Sequence, residues 1–151
     1  MSITITLERP DTDAAIELVE ELEAILSQLY PSESRHGYSV EKLIREGVAF
    51  YVIRVDGRPA GCGGVQLFDS EYGELKRMYV RPEYRGQGLA KLLLHQLATH
   101  CHDHGVNLLR LETGIHQIEA IGLYERMGFT DIGPFAEYRE DPNSRFFEKA
   151  I

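Results

Sequence analysis

The sequence predicts an α/β fold (an α+β mixed sheet) in which a central, mostly antiparallel sheet carries helices on both faces. In the first half of the chain, segments typical of strands are joined by short turns, which indicates an antiparallel meander. In the second half, strands alternate with helices, and such a crossover requires at least one parallel pair of strands. The expected order of elements is therefore βααβββαβαββ.

The first half of the chain supplies two helices and four strands. Apolar residues recur at helical spacing over residues 15–29, and Asp11 or Thr12 caps the start of this helix. A short second helix is expected over residues 40–46, where Gly47 ends it. Alternating segments bounded by turns predict strands at residues 3–8, 48–55, 59–67 and 74–80.

The second half supplies two helices and three strands. A strongly helical segment over residues 89–102 is followed by Gly105, which suits a left-handed cap at the helix end. A further helix over residues 117–127 is closed by Gly128. Strands are expected at residues 107–112, 129–132 and 145–149.

Composition and charge exclude several classes of protein. The chain has 151 residues, which suits one domain spanning residues 1–151. A formal charge of −8 disfavours nucleic acid and anionic membranes as main partners, because each binds a basic surface. No apolar segment reaches the ~18 residues of a membrane span, and residues 1–10 lack the regions of a signal peptide. With Cys62 and Cys101 expected as buried, reduced thiols, the sequence predicts a cytoplasmic protein.

The segment between the strand at residues 74–80 and the helix at residues 89–102 contains a candidate anion site. Glycines let backbone N–H groups approach a ligand closely, and a helix N-terminus adds positive potential. Gly86 and Gly88 therefore favour a bound phosphate or pyrophosphate. The alternative is a glycine-rich turn that only starts a helix.

A dinucleotide is the main competing ligand for this loop. The loop is one glycine short of the dinucleotide fingerprint, although Glu112 lies about where a ribose-binding acid would follow. Lys76 and Arg77 occupy a strand that a dinucleotide fold would bury and fill with apolar residues. The sequence therefore disfavours a nicotinamide- or flavin-nucleotide binder.

Two motifs resemble those of the GNAT family of N-acetyltransferases. The loop RGQGLA at residues 85–90 matches the family signature Arg/Gln-x-x-Gly-x-Gly/Ala, and AIGLYERMGF at residues 120–129 looks like its second motif. Residues 111–114 (LETG) and 138–147 (YREDPNSRFF) are similar to a subset of small bacterial, single-domain members. The resemblance implies a GNAT-like fold, acetyl-CoA as co-substrate without a metal, and acetyl transfer by direct attack to a primary amine of a small molecule or peptide. It leaves the acceptor and the oligomeric state open, a homodimer included.

The resemblance also implies which residues hold acetyl-CoA. Backbone groups of Met78, Tyr79 and Val80 would bind the pantetheine arm like an added strand, and the N–H group of Met78 would polarise the thioester carbonyl. Gln117 takes the place of a family asparagine that contacts pantetheine or CoA, with the same amide on a longer side chain. The residues expected around the pyrophosphate, mainly through backbone N–H groups, are Arg85, Gly86, Gln87, Gly88, Leu89, Ala90 and Lys91.

Two residues are implied as the catalytic acid and base. Tyr124 matches the family tyrosine that protonates the departing thiolate, and a phenol with a pKa of ~10 is protonated at neutral pH. Helical periodicity alone favours a core aromatic at this position. Glu74 resembles the family's glutamate base, and the alternative is an exposed acid at the start of a strand. Glu112 is a second candidate for the base, and a water relay is a third.

The resemblance puts acceptor binding in the first two helices and the loop between them. Tyr30, His36 and Tyr38 are candidates there, and each is equally explained as an ordinary loop residue. The charge of −8, with Glu74 and Glu112 near the strand ends, predicts that a neutral or cationic amine is a better acceptor than an acidic one. A local basic patch that would favour an acidic acceptor stays open, formed by Arg35, His36 and Arg139.

The end of the helix at residues 89–102 is rich in histidine, with His95, His100, His102 and His104. His100 and His104 share a helical face and have the spacing of a metal-binding pair. A solvated helix C-terminus, where the helix dipole favours imidazolium, is the preferred interpretation. We assign no metal.

A non-catalytic acyl-CoA-binding sensor or regulatory module is the alternative function. Its strand and loop would resemble those of an enzyme. A sensor has no use for an acid and a base, however, so Tyr124 and Glu74 favour the enzyme.

Overall fold

The computed structural model describes residues 1–35 and 38–151, and its order of helices and strands is the predicted βααβββαβαββ. Short 3₁₀ turns at Ser32–Ser34 and Pro82–Tyr84 lie inside predicted loops. The elements are β1 (Ile3–Glu8), α1 (Asp13–Leu29), α2 (Val40–Arg45), β2 (Ala49–Val55), β3 (Arg58–Phe68), β4 (Tyr72–Val80), α3 (Leu89–Asp103), β5 (Leu108–Gly114), α4 (Ile118–Arg126), β6 (Thr130–Ile132) and β7 (Ser144–Ala150).

All seven strands form one mixed sheet in the order β1-β2-β3-β4-β5-β7-β6. The β4–β5 pair is parallel and the other pairs are antiparallel, which confirms the predicted fold class. The parallel pair follows from the crossover through α3. In the described part of the chain, no helix combines the length and the apolar character that a membrane span needs.

Helix α1 begins at a side-chain cap. The Thr12 hydroxyl accepts a hydrogen bond from the Ala15 N–H at 3.3 Å, so Thr12 is the N-cap residue and not Asp11. Ala15, Leu18, Val19 and Leu22 are buried against the sheet, as the spacing predicts. Leu29 was expected on the same face, but its side chain is 42% exposed because the helix ends there.

Each face of the sheet packs against its own pair of helices. Leu18 of α1 and Leu43 of α2 pack with Phe50 of β2 on one face. On the other face, Leu93 of α3 packs with the core residues of β5, β7 and α4. Both cysteines are free and buried, and burial raises the pKa of Cys62 to about 12 and that of Cys101 to about 11. Both thiols are therefore protonated at neutral pH.

A β-bulge interrupts β4 halfway along. Gly64 pairs with Lys76 and Cys62 pairs with Tyr79, so Arg77 and Met78 together oppose a single residue, Gly63. Arg77 has a φ of +56°, which is the left-handed conformation of the bulge. A Cβ atom on Gly63 would lie 2.4 Å from the Met78 sulfur, so a larger residue there would make the Met78 side chain move.

Strands β4 and β5 run together over a short distance only. Their register contains two pairs, Gly73 with Leu109 and Glu74 with Arg110. Beyond Glu74 the two strands diverge, while β5 stays paired with β7 as far as Gly114. The β5-facing edge of β4 is consequently unpaired from Leu75 onward.

Candidate active site

A cavity of about 90 Å³ occupies the opening between β4 and β5. Residues 75–78 of β4 form one wall and residues 111–114 of β5 form the opposite wall. The end of α1 and the loop after it contribute Tyr30 and Tyr38, and Tyr124 enters from α4. The cavity therefore lies where the acceptor amine and the thioester were expected to meet.

The unpaired edge of β4 contains the residues predicted to contact the pantetheine arm. An unpaired strand edge offers N–H and C=O groups to an extended amide chain, as in strand addition. Met78 lines the cavity, and Val80 pairs with Gly61 on the opposite edge of β4. The side chain of Tyr79 lies on the α1 face, where its hydroxyl donates to Glu21 at 3.0 Å, so only its backbone is available at this edge.

The glycine loop presents its backbone to solvent at the start of α3. Gly86 and Gly88 have φ values of +79° and +78°, and no atom lies within 4 Å of a Cβ built on either residue. Gly88 is the N-cap of α3, and the buried side chain of Leu89 anchors the loop to the core. Arg85, Gln87 and Lys91 are exposed, whereas Ala90 is partly buried. The open helix N-terminus is suited to a bound pyrophosphate.

Arg85 is held at the junction of β4 and α4. Its Nε atom donates to the backbone oxygen of Val80 at 3.1 Å, and its guanidinium group lies 3.5 Å from the exposed carboxylate of Glu119. The side chain therefore borders the end of the unpaired β4 edge, next to the loop it was expected to serve.

Tyr124 is a buried core aromatic that also reaches the cavity. It is 5% exposed and packs edge-on against Phe129, with ring centroids 5.5 Å apart. It also lines the cavity. Burial raises the pKa of its phenol above the ordinary value of 10.0, so the hydroxyl stays protonated at neutral pH.

Gln117 closes the end of β5. Its side-chain oxygen accepts hydrogen bonds from the Gly114 N–H at 3.0 Å and from the Thr113 hydroxyl at 3.3 Å. The residue lines the cavity beside Tyr124. The amide thus holds the end of β5 to the start of α4.

Glu74 is buried, so the alternative of an exposed acid at the strand start is wrong. Its side chain is 3% exposed, and its Oε2 atom accepts from Lys76 Nζ at 2.7 Å and from the Tyr138 hydroxyl at 2.6 Å. Lys76 and Tyr138 are among the described residues that line the cavity, and Glu74 lies behind them. The carboxylate is therefore connected to the cavity by its hydrogen bonds with these two side chains.

The two partners of Glu74 have displaced pKa values. Burial lowers the pKa of Lys76, and the negative charge of Glu74 opposes this shift. Burial and the same negative charge both raise the pKa of Tyr138. Lys76 Nζ also lies 4.0 Å from the centroid of the Tyr38 ring, which is a cation–π contact.

Glu112, the second candidate for the base, lies on the β5 wall of the cavity. Its Oε2 atom accepts a hydrogen bond from the Ser144 hydroxyl at 2.8 Å. Ser144 is the first residue of β7, so the carboxylate is oriented by the neighbouring strand.

The loop after α1 is attached to the remainder of the cavity by polar contacts. The Tyr30 hydroxyl accepts from the His116 N–H at 3.0 Å, and the Ser34 hydroxyl donates to Asp141 at 2.8 Å. Tyr30 and Tyr38, two of the predicted acceptor residues, both line the cavity, and the third, His36, lies outside the described residues.

The basic patch considered from the sequence is only partly brought together. Arg35 lines the cavity, whereas Arg139 is exposed and is not among its lining residues in the described part of the chain. Sequence reasoning missed Arg77 and Tyr138, which do line the cavity. The signal for Arg77 was present, because a charged residue within a buried strand needs a function or a partner.

Two histidines at the end of α3 are hydrogen-bonded to other groups of the protein. His100 Nδ1 is hydrogen-bonded to the Tyr51 hydroxyl at 3.1 Å, and His104 Nδ1 to the backbone oxygen of His100 at 2.8 Å. Burial lowers the pKa of His100. Among residues 1–35 and 38–151, no group of three or more His, Cys, Asp and Glu side chains is arranged to hold a metal ion.

A sheet that opens beside a glycine loop at a helix N-terminus, with Tyr124 and Glu112 in the opening, is typical of an acyl-CoA-dependent acyltransferase. Residues 16–129 match the acetyltransferase (GNAT) family. The chain therefore belongs to the GNAT family, and it is an N-acetyltransferase that uses acetyl-CoA as co-substrate.

Individual relatives agree with this assignment. The chain is 41% identical over 152 residues to an IAA acetyltransferase of Azospirillum brasilense, covering 99% of each sequence. It is 37% identical to a Klebsiella pneumoniae protein assigned as an acyl-CoA N-acyltransferase, with a TM-score of 0.83 over 98% of this chain and 97% of that one. It shares its fold with the PaiA N-acetyltransferase of Thermoplasma acidophilum, solved in complex with coenzyme A, at 24% identity and a TM-score of 0.78 over 100% of both chains.

Proposed function

We propose that this enzyme acetylates the primary amine of a small molecule inside the cavity between β4 and β5. The observation that carries the proposal is the divergence of the two strands beyond Glu74, which leaves an unpaired β4 edge next to a polar cavity. The hydrogen bond between Ser34 and Asp141 holds the loop after α1 across this cavity, which favours a small acceptor over an extended peptide.

Acetyl-CoA would lie along the unpaired edge of β4 with its pyrophosphate at the start of α3. The backbone of Met78 and Val80 would bind the pantetheine arm, and the loop at residues 85–91 would surround the pyrophosphate. An N–H group of the β4 edge, that of Met78, would donate to the thioester carbonyl and stabilise the oxyanion of the tetrahedral intermediate.

The chemical step needs one acid and one base. The amine nitrogen attacks the thioester carbonyl, a C–N bond forms, and the C–S bond then breaks. The departing thiolate takes a proton from Tyr124, whose buried phenol lines the cavity in its protonated form. The proton lost by the amine would pass to the Tyr138 hydroxyl as that hydroxyl gives its own proton to Glu74, along a hydrogen bond of 2.6 Å.

The test is acetyl transfer with purified protein across a panel of primary amines. Release of CoA thiol gives the rate, and mass spectrometry of the acceptor shows an added acetyl group. We expect amine-dependent release of CoA that Tyr124→Phe reduces. Tight binding of acetyl-CoA without acetylation of any amine would favour the non-catalytic module instead.

We further propose that residues 1–151 form a single N-acetyltransferase domain of a cytoplasmic protein. The continuous seven-stranded sheet supports the single domain. The free, buried thiols of Cys62 and Cys101 agree with a reducing compartment. Fractionation of the native host cell, with an antibody against this chain, tests the location.

A further inference from the structure

We propose that the acceptor carries a carboxylate group, and that Arg35 and Arg77 bind it at the cavity wall. The inference rests on the proposed function, because it concerns the amine that this enzyme acetylates. The acceptor class would be amino acids or similar amino-carboxylates.

Arg77 is a buried cation with an unused hydrogen-bond donor. Its side chain is 5% exposed and lines the cavity from the β4 bulge. The Nε atom donates to the backbone oxygen of Tyr38 at 2.9 Å, and Nη2 donates to Glu23 at 2.8 Å. The Nη1 atom is buried and has no hydrogen-bond partner among the residues that the structure describes. A buried donor without a partner is unfavourable in the free protein, so a ligand that accepts from it is favoured.

Arg35 repeats this arrangement from the loop after α1. It lines the same cavity, and its Nη1 atom lies 3.4 Å from Glu23. Its Nε atom is buried without a partner in the described part of the chain. Two arginines from different elements therefore line one cavity, and each guanidinium group has one buried nitrogen without a partner among the described residues.

The negative charge of Glu23 balances only one of the two positive charges on Arg35 and Arg77. Glu23 gives its Oε1 atom to Arg35 and its Oε2 atom to Arg77, so one carboxylate serves two cations. A single excess positive charge is left on the pair. A carboxylate has two acceptor oxygens in one plane, and this geometry matches the planar N–H groups of guanidinium.

The other ionic groups of the cavity are suited to the amine end of such an acceptor. Lys76 is already paired with Glu74, so its charge is balanced. Glu112 lines the cavity from the β5 wall, and Tyr138 lines it from the loop before β7. An amino-carboxylate held by the arginines would thus have its amine directed towards the groups that bind and deprotonate it.

This assignment is the opposite of what the net charge of −8 predicts for the acceptor. Net charge acts over distances that salt screens, with a Debye length of ~8 Å at physiological ionic strength. Hydrogen bonds inside a cavity act at contact distance and in a lower dielectric. The unpaired donors of Arg35 and Arg77 therefore outweigh the overall charge in the choice of acceptor.

The experiment compares acceptors in matched pairs, each amino acid with its own carboxamide. Suitable pairs are glycine with glycinamide, β-alanine with β-alaninamide, and L-phenylalanine with L-phenylalaninamide. The amine of a carboxamide is less basic and is more often unprotonated at neutral pH, so amine basicity alone favours the amide. We expect kcat/KM to favour the acid of at least one pair by ~10- to 100-fold, as for a charged hydrogen bond gained.

Variants assign that preference to the two arginines. Arg35→Gln and Arg77→Gln should each raise KM for the acid by ~10-fold or more, with little change for the amide. Arg139→Gln is the matched control, because Arg139 is exposed and is not among the described residues that line the cavity. This variant should leave the KM of both acceptors unchanged. Affinity for acetyl-CoA is measured for every variant. Arg77 also contacts Tyr38 and Glu23, so Arg77→Gln could fail to fold, and in that case Arg35→Gln provides the test.

Two results would overturn the inference, and they are distinguishable from each other. If amides and other uncharged amines are acetylated as well as the acids, or if both arginine variants treat acid and amide alike, the carboxylate site is wrong and the proposed function stands. If acetyl-CoA binds but no amine with or without a carboxylate is acetylated, the proposed function fails and the inference fails with it.

Discussion

The hydroxyl of Tyr138 and the ammonium group of Lys76 donate to the same oxygen of Glu74, at 2.6 and 2.7 Å. Both donors line the cavity, and the carboxylate is buried behind them. A base in this position takes up a proton through Tyr138 and does not contact the amine directly. In the proposed mechanism the two residues would therefore act as one unit, although 64 positions separate them in the chain.

Removing either member of this unit should have nearly the same effect on catalysis. We expect Glu74→Gln and Tyr138→Phe each to lower kcat/KM by ~10²-fold. Steady-state kinetics of the two variants measure the loss. Glu137→Gln, at an exposed neighbouring position, should behave like wild type. An equal loss in Glu112→Gln, with Glu74→Gln active, would assign the base to Glu112.

Replacing Tyr124 by phenylalanine should lower kcat by ~10²–10⁴-fold without weakening acetyl-CoA binding, because one positioned proton donor is lost. Burial raises the pKa of this phenol above 10.0, so the acid stays protonated across the neutral and alkaline range. Ionisation of Tyr124 should accordingly cause no loss of wild-type kcat below pH 10. No fall of kcat in that range should therefore disappear in Tyr124→Phe.

The control for Tyr124 is Tyr72→Phe, since Tyr72 is also a buried tyrosine but is not among the described residues that line the cavity. Its kcat should match wild type. An unchanged kcat in Tyr124→Phe, measured where chemistry is rate-limiting, would leave Tyr124 with a packing role alone.

Introducing a carboxylate at the start of α3 should abolish binding of acetyl-CoA. In Gly88→Glu the negative side chain would enter the space in front of the helix N-terminus, where a pyrophosphate is expected. The substitution also forces a non-glycine residue to a φ of +78°, at a cost of ~1–2 kcal/mol. Isothermal titration with CoA measures the loss.

Gly105→Glu separates charge from backbone strain. Gly105 has a φ of +74° at the opposite end of α3, again with no atom within 4 Å of an added Cβ. This variant should lose similar stability and still bind CoA like wild type. Equal CoA affinity in Gly88→Glu and wild type would mean that the pyrophosphate binds elsewhere.

Local signals in the sequence were sufficient to predict the fold and the glycine loop. Alternation and helical periodicity depend on residues close in the chain, and so do the positive φ angles at Gly86 and Gly88. The order of elements, the presence of a parallel pair of strands and the glycine loop could therefore be derived without tertiary contacts.

The interior of the cavity could not be predicted in this way. Glu74 was as readily explained as an exposed acid, because its burial depends on Tyr138 from a distant loop. The bulge that turns Arg77 into the cavity depends on how β4 pairs with the neighbouring strand β3. Charge counting favoured a neutral or cationic acceptor, and it does not show which donors remain unpaired, as Arg77 Nη1 does among the described residues.

Gly114, at the end of β5, should not tolerate even a methyl group. A Cβ atom there would lie 1.9 Å from the Tyr30 hydroxyl, and Tyr30 is 6% exposed. In Gly114→Ala the tyrosine ring must leave its site and lose its hydrogen bond from the His116 N–H. We expect the free energy of unfolding in urea to fall by ~1–3 kcal/mol, as for an overpacked core.

Because Tyr30 lines the cavity, Gly114→Ala should also raise KM for the acceptor while leaving the Kd for acetyl-CoA unchanged. Gly133→Ala is the matched control, since its backbone is outside the left-handed region and no atom lies within 4 Å of an added Cβ. Its stability should stay within ~0.5 kcal/mol of wild type. If Gly114→Ala has the stability and the acceptor KM of the wild type, then Tyr30 neither packs on Gly114 in solution nor shapes the acceptor site.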